Sequence, residues 1–305
     1  MVSTTIDKYA YVTLRPNDAK RISVRSIDFN LNKSFELNRL KYDGCLDLVK
    51  ATINAFKVKE GFDLLIHSDM PPGSGMGTSS SMVVALIGCL KEFTGRRMSK
   101  KEIAELAYCI EREELGEKGG YQDQYVATFG GLNYIGFNEH GVEIEPIRLS
   151  PEQLNELQYC LLLFYTNKTR LSSKIHEDMA RRYKERRVGY LEAMRNLRQV
   201  ADRMKRCLLD GDMDRFGELL DEGWIYKRKL SSRITTSEID KLYKIARKSG
   251  AIGGKILGAG GGGHLLLFCE AEKKFDLIHR LSEYGVNLVP FRFEPEGLQM
   301  WRAKE

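Results

Sequence analysis

The stretch Pro71-Pro-Gly-Ser-Gly-Met-Gly-Thr-Ser-Ser-Ser81 gathers the groups in this chain best suited to holding an anion. Gly73, Gly75 and Gly77 alternate, so the backbone can turn tightly and come close to a ligand, and they run into hydroxyl residues that open a helix. The free N–H groups of a helix's first turn, with the positive end of its dipole, form an anion site. The loop is therefore expected to bind phosphate. A Walker A loop needs Lys before its Ser or Thr, and none is present; the dinucleotide fingerprint needs GxGxxG, where this loop reads GxGxG. A plain strand-to-helix connection is the alternative. Against it stands Met82 to Leu90, apolar nearly all round, which predicts a buried helix and a loop fixed to a core element.

Two carboxylates could work beside such a loop. Ser99 and Glu102 make a capping-box pattern that starts a helix with Ile103, Leu106, Ala107 and Ile110 on one face, running to about Leu115. Glu111 lies on the flank of that stripe and is expected to point along the protein; an ordinary boundary carboxylate is the alternative. Asp123 sits between Gln122 and Gln124 after the break Gly116-Glu-Lys-Gly-Gly120, where helix capping is the alternative to catalysis. A second glycine cluster, Gly258-Ala-Gly-Gly-Gly-Gly263, joins two strands with more glycine than a hairpin needs. Backbone is expected to pass close to something there, a flexible turn being the alternative.

The elements that position these residues follow from periodicity. Ile6 to Leu14 alternates as a strand, the turn Pro16-Asn17-Asp18 follows, and Arg21 to Phe29 makes a second strand of a meander. Cys45, Leu46, Val49, Ile53 and Phe56 predict an amphipathic helix from Gly44 to Val58, and Phe62 to His67 a strand leading into the Pro71 loop. Short strands are expected near Leu132 to Ile135 and Val142 to Ile147. Tyr159 to Tyr165 reads as a continuous apolar strand. Helices dominate from Ser172 to Gly250, with Val188, Leu191, Met194, Leu197, Val200 and Met204 as one stripe and further helices at Phe216 to Leu230 and Ser237 to Lys248. The end reads strand, glycine loop, strand, helix, strand: Ala251 to Leu257, Gly258 to Gly263, His264 to Cys269, Glu272 to Tyr284 and Asn287 to Phe293. The change of pattern beyond Pro151 sets a boundary near residue 157, giving domains 1–157 and 158–305.

Composition narrows the function classes. The chain has 305 residues, 30% charged and 42% hydrophobic, the balance of a globular protein. No run approaches the ~18 to 20 apolar residues of a membrane helix, and no basic-then-hydrophobic leader opens the chain, so a cytoplasmic protein is expected. Six scattered cysteines without CxxC spacing predict reduced core thiols. Five isolated histidines make no zinc pattern. The net charge of +6 concentrates in Arg181-Arg182-Tyr183-Lys184-Glu185-Arg186-Arg187, read as a solvated helix face rather than a nucleic-acid contact.

Together the motifs resemble those of the GHMP small-molecule kinases. Pro71-Pro-Gly-Ser-Gly-Met-Gly-Thr-Ser-Ser80 is similar to that family's second motif, PxGxGLGSS, with Met76 for Leu and Thr78 for the first Ser. Lys255-Ile-Leu-Gly-Ala-Gly-Gly-Gly-Gly263 is similar to its third. Ser3-Thr-Thr-Ile-Asp-Lys-Tyr9, Gln122 to Asn133, Tyr165 to Ser173 and Trp224 to Ser232 look like the branch of bacterial D-glycero-D-manno-heptose 7-phosphate kinases and related fucokinase-like sugar kinases. The likeness covers nearly the whole chain.

The resemblance implies an α+β, two-domain architecture: an N-terminal mixed sheet with helices and a C-terminal ferredoxin-like domain with added helices. It implies phosphoryl transfer from ATP to a sugar hydroxyl, with Mg²⁺. Pro72, Gly73, Ser74, Gly75, Met76, Gly77, Thr78 and Ser79 would cradle the ATP phosphates. Ser79 and Glu111 would hold Mg²⁺, which suits sparse oxygen ligation, and Asp123 would be the catalytic aspartate. Asp7, Lys8, Lys168 and Arg170, with Gly260, Gly261 and Gly262, would contact the substrate or close the cleft. The cations could equally be solvated surface charges. The expected partner is a small sugar or sugar phosphate, with neither nucleic acid nor membrane, and a homodimer is left open. The anomeric hydroxyl of the heptose phosphate is the expected acceptor; a kinase of fucose, galactose or mannose derivatives and a non-catalytic ATP- or sugar-binding relative are the alternatives. The family's first motif would precede Ser3, and a further upstream segment carrying it is expected.

Overall fold

Val12, Leu14, Ile22, Val24, Leu64 and Ile66 turn inward because strand side chains alternate between faces, and they build one wall of the first core. The computed structural model describes residues 1–38, 40–168 and 173–303. These form two compact units: one of Thr5–Pro72, Gly77–Gly131 and the chain from Glu294, the other of Met1–Thr4, Gly73–Met76 and Leu132–Phe293. The units follow packing, whereas the 1–157 and 158–305 division follows chain order.

The first unit holds a mixed four-stranded sheet. Strand Ala10–Asn17 pairs antiparallel with Gly61–Ser68, Gly61–Ser68 pairs parallel with Arg21–Ser26, and Arg21–Ser26 pairs antiparallel with Leu31–Glu36. The first two long strands therefore do not form the expected meander. Parallel neighbours need a crossover, and helix α1 (Asp47–Phe56) supplies it, delivering Gly61–Ser68 between them. Pro16 lies inside the strand Ala10–Asn17 rather than in a turn. It is tolerated because that strand is at the sheet edge, where a missing N–H is harmless.

Helix α2 (Thr78–Thr94) buries Met82, Val83, Val84, Leu86, Ile87 and Leu90, as its apolar sequence predicts. Helix α3 (Lys100–Tyr108) starts at the expected capping box, Ser99 with Glu102. It continues into a π-helical turn, Cys109–Glu114, and helix α4 (Gln122–Phe129) follows.

In the second unit, strands Ala251–Ile256, His264–Cys269, Leu161–Tyr165 and Asn287–Leu288 lie in that order, all antiparallel. With the intervening helices the chain runs β-α-β-β-α-β, the ferredoxin-like arrangement. Helix α5 (Pro151–Cys160) was not expected. Its last turn takes Tyr159 and Cys160 out of the proposed strand, and Ser150, Pro151 and Gln153 give it a capping box with Pro at the first position. Helices α6 (Ser173–Lys184), α7 (Val188–Asp210), α8 (Met213–Leu230), α9 (Ser237–Lys248) and α10 (Lys274–Ser282) follow. The buried face of α7 is Tyr190, Ala193, Val200 and Leu208, while Val188 and Met194 are exposed. Of the expected stripe Val200 is buried and Leu191, Leu197 and Met204 pack against the cores, so most of it holds, and Tyr190 and Ala193 widen the packed side. The last expected strand shortens to Asn287–Leu288 and Phe293–Glu294, with Pro290 between them unable to donate to a ladder.

The six cysteines are free, and no helix among the described residues is long and apolar enough to cross a membrane. In the basic cluster Arg181 and Arg182 pair with Asp178, and Arg187 with Glu185, in keeping with a solvated helix face.

Candidate active site

The N-terminus of α2 carries one half of the site. Gly77 caps the helix at φ 72°, a left-handed conformation natural to glycine, and as a glycine it offers no side-chain cap. The first-turn N–H groups lack intrahelical partners, so they suit an anion. Ser79 and Ser80 lie in that turn, Ser79 exposed and Ser80 buried.

Glu111 comes from the π-helical turn and is fully buried. A π turn carries an extra residue and re-aims the side chains it contains. Glu111 Oε1 accepts from Ser79 Oγ at 2.7 Å, and Oε2 accepts from Ser80 Oγ at 2.7 Å and Gln124 Nε2 at 2.5 Å. The carboxylate does more than point along the protein; it joins α2 to α4. Asp123 lies in the first turn of α4, where a negative charge meets the positive helix end. The N-cap is Tyr121, so Asp123 is not the cap. A Cβ placed on Gly77 would stand 3.4 Å from Asp123 Cβ and Cγ. Asp123 therefore rests against the last glycine of the loop, and Tyr121 stacks on Tyr108 at 3.9 Å, tying the start of α4 to the end of α3.

In the other unit, Gly73–Met76 packs against the second glycine cluster. A Cβ on Gly263 would be 2.4 Å from the Ser74 carbonyl oxygen, so any side chain there would collide. The close approach expected of this cluster is real. His264 Nδ1 donates to the Ser74 carbonyl at 2.8 Å, both residues being buried. That bond fixes the tautomer, with the proton on Nδ1. Burial pulls the His264 pKa down, and the Ser74 contact opposes it. Lys227 Nζ donates to the carbonyls of Ile256 at 2.8 Å and Gly258 at 2.6 Å, fixing the entrance to the cluster.

The candidate acceptor contacts are less gathered. Asp7 and Lys8 follow strand Thr5–Ile6, with the Lys8 N–H bonded to Ile6 O at 2.7 Å. The Lys168 ammonium pairs with Glu238, and its carbonyl accepts from Gly263 N at 2.7 Å. Gly261 N donates to Ile234 O at 2.8 Å, while Gly260 packs on Ile234 and Gly262 on the Lys168 carbonyl. Arg170 lies outside the described residues. Sequence reasoning missed Ser80, Gln124, Lys227 and His264. The signals present were a second hydroxyl beside Ser79, an amide beside Asp123, and one histidine heading the apolar run His264 to Cys269.

The donor set fits Mg²⁺. Glu111 is buried among three neutral donors and pairs with no Lys or Arg among the described residues. Hydroxyl and carboxylate oxygens are the ligands a small hard cation takes. The π-helical turn also walls a cavity of about 670 Å³ through Cys109, Ile110 and Glu113, opposite Leu37, Asn38 and Asn54.

Comparison with known proteins identifies the family. The GHMP kinases N terminal domain matches residues 44–131, and the GHMP kinases C terminal domain matches residues 204–287. The D-glycero-alpha-D-manno-heptose 7-phosphate kinase of Campylobacter jejuni is 36% identical, over 99% of this chain and 91% of the relative. The chain belongs to the GHMP kinase family. It resembles the solved structure of a D-glycero-D-manno-heptose 1-phosphate kinase from Bacteroides thetaiotaomicron, with a TM-score of 0.83 and 29% identity over 100% of this chain and 90% of that one. A putative sugar kinase from Campylobacter jejuni gives a TM-score of 0.82 and 35% identity over 99% and 89%. This GHMP kinase is thus an ATP-dependent phosphotransferase.

Proposed function

We propose that this GHMP kinase transfers the γ-phosphoryl group of ATP to the anomeric hydroxyl of D-glycero-D-manno-heptose 7-phosphate. The observation that carries the assignment of catalysis is Asp123 resting against Gly77 at the N-terminus of α2. The acceptor rests on the likeness to the Campylobacter jejuni kinase.

Phosphoryl transfer through a loose transition state needs positioning and charge neutralisation more than covalent chemistry. Backbone N–H groups from Gly73 to Ser79 hold the phosphates. Asp123 orients the acceptor hydroxyl and takes its proton as the hydroxyl oxygen bonds to the γ-phosphorus; the bond from that phosphorus to the bridging oxygen breaks, and ADP leaves with the electron pair. Ser79 and Glu111 would hold Mg²⁺, which when bound with ATP neutralises phosphate charge. Lys8, with Asp7, Lys168, Arg170 and Gly260 to Gly262, is assigned to the acceptor side. Residues 1–157 carry the nucleotide loop and residues 158–305 the third motif. Six free cysteines support a cytoplasmic enzyme.

The test is ATP consumption across a panel of heptose 7-phosphate, heptose 1-phosphate, fucose, galactose and mannose. Highest kcat/KM with heptose 7-phosphate is expected; an unphosphorylated hexose that outcompetes it overturns the acceptor assignment.

A further inference from the structure

Gln124 is fully buried beside Asp123, and its two amide atoms are treated differently by their surroundings. Nε2 donates to Glu111 Oε2 at 2.5 Å, while Oε1 has no hydrogen-bond partner among the described residues. A buried acceptor left unpaired is costly, and the great majority of such atoms in folded proteins are paired with protein or ordered water. The Glu111 carboxylate shows the complementary asymmetry. Among the described residues its Oε2 takes two donors from buried residues, Ser80 and Gln124, whereas Oε1 takes only exposed Ser79. One oxygen is held between two buried donors, and the other meets a hydroxyl whose residue reaches the surface.

We propose that Gln124 is a positioning residue for the cation site: it holds Glu111 so that Oε1 meets a divalent cation, and its buried carbonyl oxygen is satisfied by a water that the cation brings. This rests on the assignment of Ser79 and Glu111 to Mg²⁺. Because Gln124 and Asp123 are consecutive in the first turn of α4, the same amide sets the carboxylate that holds the cation relative to the helix that carries the proton acceptor. Partners that orient a metal ligand in this way are worth about 10- to 100-fold in metal affinity.

The test is Mn²⁺ binding to the enzyme–ADP complex, read by electron paramagnetic resonance, beside metal-free ADP binding by calorimetry and the melting temperature. Gln124→Met keeps length and removes both amide functions. It is expected to weaken Mn²⁺ binding about 10- to 100-fold while metal-free ADP affinity stays within about twofold of wild type. Gln124→Asn, which withdraws the amide by one methylene, should shift Mn²⁺ affinity in the same direction and serves if the Met variant does not fold. Unchanged Mn²⁺ affinity with a lowered melting temperature makes Gln124 a packing residue and overturns the proposal. Glu111→Gln separates the two levels. If it weakens Mn²⁺ binding and neither Gln124 variant does, the positioning role alone fails; if it too leaves Mn²⁺ binding unchanged, the cation assignment fails and the positioning role with it.

Discussion

The bond from His264 to the Ser74 carbonyl offers a clean perturbation of the phosphate loop, because donor and acceptor are both buried and the distance, 2.8 Å, is that of a full hydrogen bond. His264→Leu removes this donor from the buried Ser74 carbonyl, and losing one such hydrogen bond costs about 0.5–1.5 kcal/mol. His264→Asn carries an amide N–H close to where Nδ1 sits and restores a donor while losing the same contact with Tyr165. Comparing the two isolates the hydrogen bond from the packing. If the loss falls on the order of the loop, apparent ATP affinity drops in proportion to the binding-competent fraction. At ~1.4 kcal/mol per tenfold, the Leu variant should raise KM for ATP roughly 2- to 10-fold, and the Asn variant much less. Neither should change kcat greatly, since Glu111 and Asp123 are untouched. The pH behaviour follows the same contact. Burial sets the His264 pKa below its ordinary value of 6.5, so the unfolded chain binds this proton first. Its contribution to stability is present above pH 6.5 and lost as pH falls through the folded pKa. Wild type should therefore destabilise on acidification below pH 6.5 more steeply than His264→Leu. Steady-state kinetics and urea unfolding at pH 7.5 and 5.5 read both effects. Equal ATP KM for all three proteins would refute the idea that this bond orders the loop.

Ser79→Ala should raise the Mg²⁺ concentration needed for half-maximal turnover by ~10-fold, equivalent to ~1.4 kcal/mol; a Mg²⁺ titration identical to wild type counts against Ser79. Gly77→Ala puts a side chain at φ 72° beside Asp123, at a backbone cost of roughly 1–2 kcal/mol, and turnover should fall roughly tenfold; full turnover would mean the loop accommodates it freely. Asp178 is held down to about 2 by the Ser231 hydroxyl and by Arg181 and Arg182. Its stabilisation is intact above its ordinary value of 3.8 and lost as pH falls toward about 2, so Asp178→Asn should flatten the stability profile in that window, measured by urea unfolding.

Local patterns in the sequence carried over where the cause was local. The alternation of Ala10 to Leu14, the capping box at Ser99 and the apolar run after Ser81 each decide one element by their own residues. What was not legible depends on distant pairing. The strand Gly61–Ser68 lies between two earlier strands because of the α1 crossover, which no periodicity within those strands encodes. The π-helical turn is invisible to a 3.6-residue pattern, yet it brings Glu111 inside. Glu111 and Asp123 were readable as candidates, but Gln124 looked like a neighbour of a possible cap until its amide was found on the carboxylate. His264 looked like one isolated histidine, since its partner Ser74 lies in a different part of the chain.

The central claim is that Asp123, at the mouth of the phosphate loop, makes this GHMP kinase a sugar-phosphate kinase, and phosphorus NMR of the reaction tests it most directly. With ATP, Mg²⁺ and D-glycero-D-manno-heptose 7-phosphate, wild type should give ADP and a new anomeric phosphate signal. Asp123→Asn should bind ATP with nearly unchanged affinity and form that product on the order of 10²- to 10⁴-fold more slowly. Product formation by Asp123→Asn at the wild-type rate would contradict the account and leave Asp123 as a structural residue of α4.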